Sequence, residues 1–122
     1  MPNINASSEN YLETILMLKS TKGSVRAIEI AQELGFSKPS VSIALKHLRE
    51  SGHVTVDGDG NISLTDSGRE IADRIYERHI VLTRFLQSLG VSADTAEEDA
   101  CKIEHIISAE TFDCIKKQGI NA

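Results

Sequence analysis

Cysteine is scarce in this chain, with two in 122 residues, Cys101 and Cys114. They could pair in principle. In a chain whose start, Met1-Pro2-Asn3-Ile4-Asn5, does not read as a signal peptide, one reduced metal ligand and one bystander are expected. Long apolar runs are missing as well. Nothing approaches the ~20 consecutive apolar residues that cross a bilayer, so no membrane partner and a cytoplasmic location are expected. There is no internal repeat, low-complexity tract or flexible interdomain linker. A phosphate-binding glycine loop, a nucleophile motif and a second acid–base group on a loop are also lacking, which argues against an enzyme.

What is present is an ordinary globular composition, 40% hydrophobic and 25% charged, with a net charge of -5. The acidity is uneven. Residues 1–65 carry 6 Lys/Arg against 7 Asp/Glu, and residues 66–122 carry 7 against 11. Local charge decides phosphate contact, and Lys38, Lys46 and Arg49 outnumber Glu50 between Ser37 and Glu50. The first half can therefore approach DNA.

Periodicity predicts a helix over 8–20 capped by Ser7 or Ser8, with Tyr11, Leu12, Ile15, Leu16 and Met17 on its apolar face. A second helix is expected over 26–34, stopped by Gly35. Ser37 caps a third, in which Pro39 sits in the tolerant first turn and Val41, Ala44, Leu45 and Leu48 form a buried stripe. The period then changes to alternation in 53–56 and 61–64 around Asp57-Gly58-Asp59-Gly60, a hairpin signal. A long helix over 66–89, a further one from Ser92 to about Ile107 and a short one from Ser108 toward Gly119 complete the chain. This is the winged helix-turn-helix order. The fold expected is mainly α with a small β-hairpin wing: a winged helix-turn-helix DNA-binding domain over 1–65, then a helical metal-binding and dimerisation domain over 66–122, with 66–89 as a spine.

The buried stripe leaves Ser37, Lys38, Pro39, Ser40, Ser42, Ile43, Lys46, His47 and Arg49 for DNA. Short hydroxyl side chains suit base edges or phosphates, and Lys46 and Arg49 suit phosphates. Ile43 is open between a thymine methyl contact and packing. In the second half, Cys101, Glu104 and His105 stand at i, i+3 and i+4, so one helix face presents all three, with Glu97 a turn earlier. A thiolate, an imidazole and carboxylates are donors for a transition-metal ion. His79 on the long helix adds a second imidazole.

The segments Glu9-Asn10-Tyr11-Leu12-Glu13, Ser37-Lys38-Pro39-Ser40-Val41-Ser42, Leu64-Thr65-Asp66-Ser67-Gly68, Arg78-His79 and Cys101-Lys102-Ile103-Glu104-His105-Ile106-Ile107-Ser108 occur here in a fixed order. In that order and spacing the chain resembles the metal-dependent repressors of the diphtheria toxin repressor and manganese transport repressor family. The resemblance runs from about Ser8 to Ser108. It implies that Asn10, Glu13, His79, Cys101, Glu104 and His105 meet at metal. It also implies a hybrid site: Cys101 matches the iron branch and Glu13 the manganese branch, while Asn10 matches neither. Thr83 and Glu97 stand at the positions of the iron branch's ancillary site, and Thr83 is a poor ligand. No third, C-terminal domain is expected after Ala122.

The function expected is a metal-dependent transcriptional repressor that binds a double-stranded operator as a homodimer and controls metal-homeostasis genes. Ile103, Ile106, Ile107 and Phe112 are available for the two-fold interface. Thiolate plus imidazole suits Fe(II), Co(II), Ni(II) or Zn(II). Family resemblance puts Fe(II) first and Mn(II) next. The alternatives are a thiol redox-sensing regulator using Cys101 and Cys114, and a metal-independent winged-helix regulator.

Overall fold

The computed structural model describes residues 6–118. The elements run α1 Ala6–Lys22, α2 Ala27–Leu34, α3 Lys38–Glu50, β1 Val54–Val56, β2 Ile62–Leu64, α4 Asp66–Ser88, α5 Ala93–Ile103 and α6 Ala109–Lys117. The protein is mainly α with a β-hairpin wing, as expected. It divides into two compact units, one up to Asp73 and one from Arg74, with the division inside α4.

In the first unit, Tyr11, Leu12, Ile15 and Leu18 of α1 pack with Val25, with Ile30 and Ala31 of α2, and with Val41, Leu45 and Leu48 of α3. Val54 and Ile62 from the wing and Ala72 of α4 complete this core. Each Leu, Ile or Val among them contributes roughly 1.5–3 kcal/mol on leaving water. Leu18 takes the place expected for Met17, which is exposed. Ser7 and Ser8 are not caps, because α1 already begins at Ala6.

Gly35, in the left-handed region with φ 71°, ends α2, and its N–H bonds the Ala31 carbonyl. Ser37 then caps α3: its Oγ accepts from Ser40 N at 3.3 Å. The strands pair antiparallel with Val54 opposite Leu64 and Val56 opposite Ile62. The wing is anchored to the helices by Ile62 N donating to the Val25 carbonyl, 2.8 Å. Lys19 Nζ adds bonds to Ile62 O at 3.0 Å and Ser63 Oγ at 2.8 Å.

At the wing tip, Asp57 Oδ1 accepts the amides of Asn61 and Asp59, both at 2.9 Å. The Asn61 amide bond is the main cause holding this carboxyl below its ordinary value. A depressed folded pKa means the loop gains stability above the ordinary carboxylate range and loses it as pH falls through the folded value. A carboxyl-carbon NMR titration is expected to place the Asp57 midpoint below that of a free aspartate. A midpoint at or above it would contradict the anchoring role.

In the second unit, Leu82, Ala100 and Phe112 are buried, with Val81, Ile103, Ile107 and Ile115 packed around them. Ser92 caps α5 and Ser108 caps α6, accepting from Thr95 N and Thr111 N respectively. Two expectations change here. Helix α5 stops at Ile103, not near Ile107, and the 104–107 segment is a turn. Phe112, with Ile103 and Ile107 against it, serves the core of its own unit, whereas Ile106 is 81% exposed. Leu89, expected as the last apolar residue of the long helix, lies just past α4 and is exposed. The expected end of the last helix at Gly119 lies outside the described residues.

Candidate metal centre and nucleic-acid interface

Two helices of the second unit, α4 and α5, bring the donors together. His79 comes from α4, Cys101 from the last turn of α5, and Glu104 from the residue that ends that helix. Their ligand atoms lie within 4.8 Å of one another, the one such group of His, Cys and acidic residues among the described residues. His79 Nδ1 stands 2.8 Å from Glu104 Oε1 and 3.8 Å from Cys101 Sγ. Glu104 keeps right-handed helical angles, φ -57° and ψ -26°. The expected common face of residues 101 and 104 therefore survives the early end of α5, while His105 sits in the turn beyond it.

Glu104 is 0% exposed. One of its oxygens faces His79; the other, Oε2, has no hydrogen-bond partner among the described residues. His105 Nε2 lies 3.5 Å from it, within ion-pair distance but without hydrogen-bond geometry. A buried carboxylate oxygen left without a hydrogen bond is costly in a low-dielectric interior. An imidazole on each side and a thiolate within reach make a cation the natural partner. The donor set is the borderline-soft mixture that divalent transition metals bind. The residues present fit a metal ion.

The remaining expected ligands are more scattered. Glu97 is exposed on α5 and outside the three-donor group. Glu13 and Asn10 lie on α1 in the first unit, Glu13 buried and Asn10 half-buried. Thr83 spends its hydroxyl on the His79 carbonyl at 2.7 Å. Neither cysteine is in a disulfide, and both are exposed. Arg78 stood in the sequence only as the neighbour of His79. Its guanidinium donates to the carbonyls of Glu104 and Ile107, at 3.1 and 2.9 Å. No local pattern signals that contact, since the partners are 26 and 29 residues away.

The DNA face is simpler. Val41, Leu45 and Leu48 turn inward, and Lys38, Pro39, Ser40, Ser42, Ile43, Lys46, His47 and Arg49 are all exposed on α3. Ser37 spends its Oγ on the cap, bonding Ser40 by main chain and side chain. Ile43, open between packing and exposure in the sequence, is 58% exposed. His47 Nδ1 stands 4.0 Å from Glu50, leaving Lys38, Lys46 and Arg49 as the lasting cations of this face. No helix is long and apolar enough to cross a membrane among the described residues.

Two family models match the chain. Residues 3–62 match the N-terminal DNA binding domain of iron dependent repressors, and residues 65–118 match their metal binding and dimerisation domain. The chain is 35% identical over 108 residues to the transcriptional regulator MntR of Escherichia coli, covering 88% of this chain and 70% of that one. It is 34% identical over 115 residues to an uncharacterised helix-turn-helix-type transcriptional regulator of Methanocaldococcus jannaschii, covering 93% and 92%. A solved manganese-dependent transcriptional repressor in complex with manganese superimposes with a TM-score of 0.84 at 29% identity. That match covers 91% of this chain and 51% of the repressor, so the chain spans about half the length of that protein. With both domain models matched in order, the chain belongs to the iron-dependent repressor family of DNA-binding transcriptional regulators.

Proposed function

We propose that this protein is a divalent-metal-dependent transcriptional repressor, with a winged helix-turn-helix domain over 1–65 and a metal-binding and dimerisation domain over 66–122. The observation that carries this reading is the buried Glu104 carboxylate, flanked by His79 and His105 and within reach of the Cys101 thiol. His79, Cys101, Glu104 and His105 form the core of the metal site. Glu13 adds a carboxylate, Asn10 an amide oxygen and Glu97 a peripheral carboxylate. A bound ion supplies the positive charge that the buried Glu104 lacks. The residues supply the rest: Glu104 and Cys101 bind as anions, and the two imidazoles orient them.

The proposed metal is Fe(II), with Mn(II) next, and Zn(II), Co(II) or Ni(II) able to occupy the site. A thiolate donor supports Fe(II) over Mn(II), which prefers oxygen ligands. The manganese dependence of a relative keeps Mn(II) second. Target genes of metal homeostasis and a cytoplasmic site of action follow from this reading.

On DNA, Ser37, Lys38, Pro39, Ser40, Ser42, Ile43, Lys46, His47 and Arg49 form the proposed contact set. One recognition helix offers too few base contacts, and a homodimer reads two half-sites about 34 Å apart or a multiple of it. Metal needs to contribute about 1–3 kcal/mol of coupling, roughly 5–150-fold in operator affinity. The test is anaerobic titration of reduced, metal-free protein with Fe(II), Mn(II) and Zn(II), reading affinity for its own promoter at fixed salt. A rise of about fivefold or more with one ion is expected. No rise with any ion overturns the reading, and loss of binding on mild peroxide would then favour a thiol sensor.

Replacing both Lys46 and Arg49 by alanine is expected to weaken binding to operator and nonspecific DNA alike. The slope of log affinity against log salt should flatten by about 0.9 for each lost phosphate contact. An unchanged slope would remove these residues from the phosphate-contact set.

A further inference from the structure

Three consecutive residues of α4 hold two other parts of the second unit, α6 and the turn after α5. Glu77 Oε2 accepts from Lys116 Nζ on α6 at 2.6 Å. Arg78 Nη1 donates to the carbonyls of Glu104 and Ile107, which open and close the turn after α5. His79 Nδ1 meets the Glu104 carboxylate. Residue 104 is thus gripped twice from α4, through its main chain by Arg78 and through its side chain by His79.

From this we infer that Arg78 is a positioning residue for the metal site, which fixes the 104–107 turn and so aims Glu104 and His105. The inference deepens the proposed metal-sensing function and rests on that reading.

The chemistry follows from the end of a helix. The Glu104 carbonyl caps α5 and the Ile107 carbonyl lies beyond it, so neither has an intrahelical donor, and they sit at the end of the helix where its dipole is negative. A guanidinium answers both needs, and charge-assisted bonds are stronger than neutral ones. The turn has weak means of its own: Ile106 N and Ile107 N both bond the single carbonyl of Ile103. Two bonds from the one Nη1 nitrogen, to residues 104 and 107, set the direction in which the ligand-bearing backbone leaves the helix. The guanidinium is itself held in place, with its carbon 5.5 Å from the centre of the Phe112 ring. Its Nε is buried and has no hydrogen-bond partner among the described residues. A lysine ammonium also carries several donors, but it lacks the planar guanidinium face that stacks on the Phe112 ring.

The test compares wild type, Arg78→Gln and Arg78→Lys as full chains. Anaerobic Co(II) titration reads affinity and the Cys101 thiolate-to-cobalt charge-transfer band. Metal-free amide exchange at Ile106 and Ile107 reads the turn without any ion. Arg78→Gln is expected to lose about tenfold or more in Co(II) affinity, with a changed band. Exchange at the two turn amides should accelerate well beyond that in α4 or α6, and Arg78→Lys should recover part of both. A Co(II) affinity and spectrum within twofold of wild type would overturn the inference. So would an exchange increase spread evenly over the unit, which marks a merely structural arginine. If Arg78→Gln fails to fold, Phe112→Leu is read in its place. It removes the ring under the guanidinium and is expected to shift affinity and turn exchange in the same direction by a smaller factor, and no shift would count against the inference. Failure of wild type to bind Co(II) would sink the metal reading alone, because the exchange comparison still judges Arg78.

Discussion

The Glu104→Gln protein is expected to lose the stabilisation that divalent metal gives the wild type. That stabilisation is about 2.7 kcal/mol at an ion concentration 100 times the dissociation constant. Glutamine keeps the shape of Glu104 and an oxygen for His79 Nδ1 but removes the charge. In the metal-free wild type that charge is fully buried, with one oxygen lacking a hydrogen-bond partner among the described residues. The neutral amide removes the cost of burying that charge but gives up its ion-pair contacts with His79 and His105, so metal-free Glu104→Gln should stay close to wild type in stability. Urea unfolding with and without Mn(II) or Co(II) gives both numbers. Operator affinity in the variant should stay at its metal-free level whichever ion is added. An undiminished rise in stability with metal would show that the ion binds elsewhere.

Gly68→Ala is expected to destabilise the first unit by about 3 kcal/mol, at the upper end of overpacking costs. The same change in an exposed helix interior stabilises by about 1 kcal/mol, so the sign itself is diagnostic. Gly68 lies in the first turn of α4, where an added Cβ would overlap the carbonyl oxygen of His53, a backbone atom that cannot rotate away. The surrounding contacts hold that approach. Thr65 Oγ1 donates to the Gly52 carbonyl at 2.6 Å, Thr65 N donates to His53 O at 3.1 Å, and Gly68 N donates to Thr65 Oγ1 at 3.2 Å. The start of α4 is thereby sewn onto the residues that enter the wing. Denaturant unfolding reads the cost directly; a midpoint equal to or above wild type would mean that the His53 backbone yields easily.

Much of the first unit was legible because each signal there is local. Ser37 and Pro39 begin α3, its stripe at Val41, Leu45 and Leu48 is buried, and the glycine-rich 57–60 segment joins two short strands. The grouping of Cys101 with Glu104 was equally visible as helical spacing, and His79 joined them. What escaped is set by distant partners. Nothing between Lys102 and Ile107 breaks a helix, yet α5 stops at Ile103. The carbonyls of Glu104 and Ile107 are taken by Arg78 from α4 instead. Phe112 shows the same limit: period identifies an apolar face but not which neighbour covers it, and here the cover is its own unit. Ser7 and Ser8 are good caps, but α1 extends one residue beyond them at Ala6, and cap preference is too weak to set that boundary.

The donor group is graded in depth: Glu104 is wholly buried, the His79 and His105 side chains are nearly so, and Cys101 is exposed. On the proposed reading this gradient governs kinetics as well as affinity. An incoming ion would meet the exposed Cys101 thiolate first and the buried Glu104 last. On departure the order would reverse, leaving the exposed sulfur as the last bond and the one that a competing thiol in solution could replace. The time the regulator takes to forget its metal would then respond to the surrounding pool of small thiols.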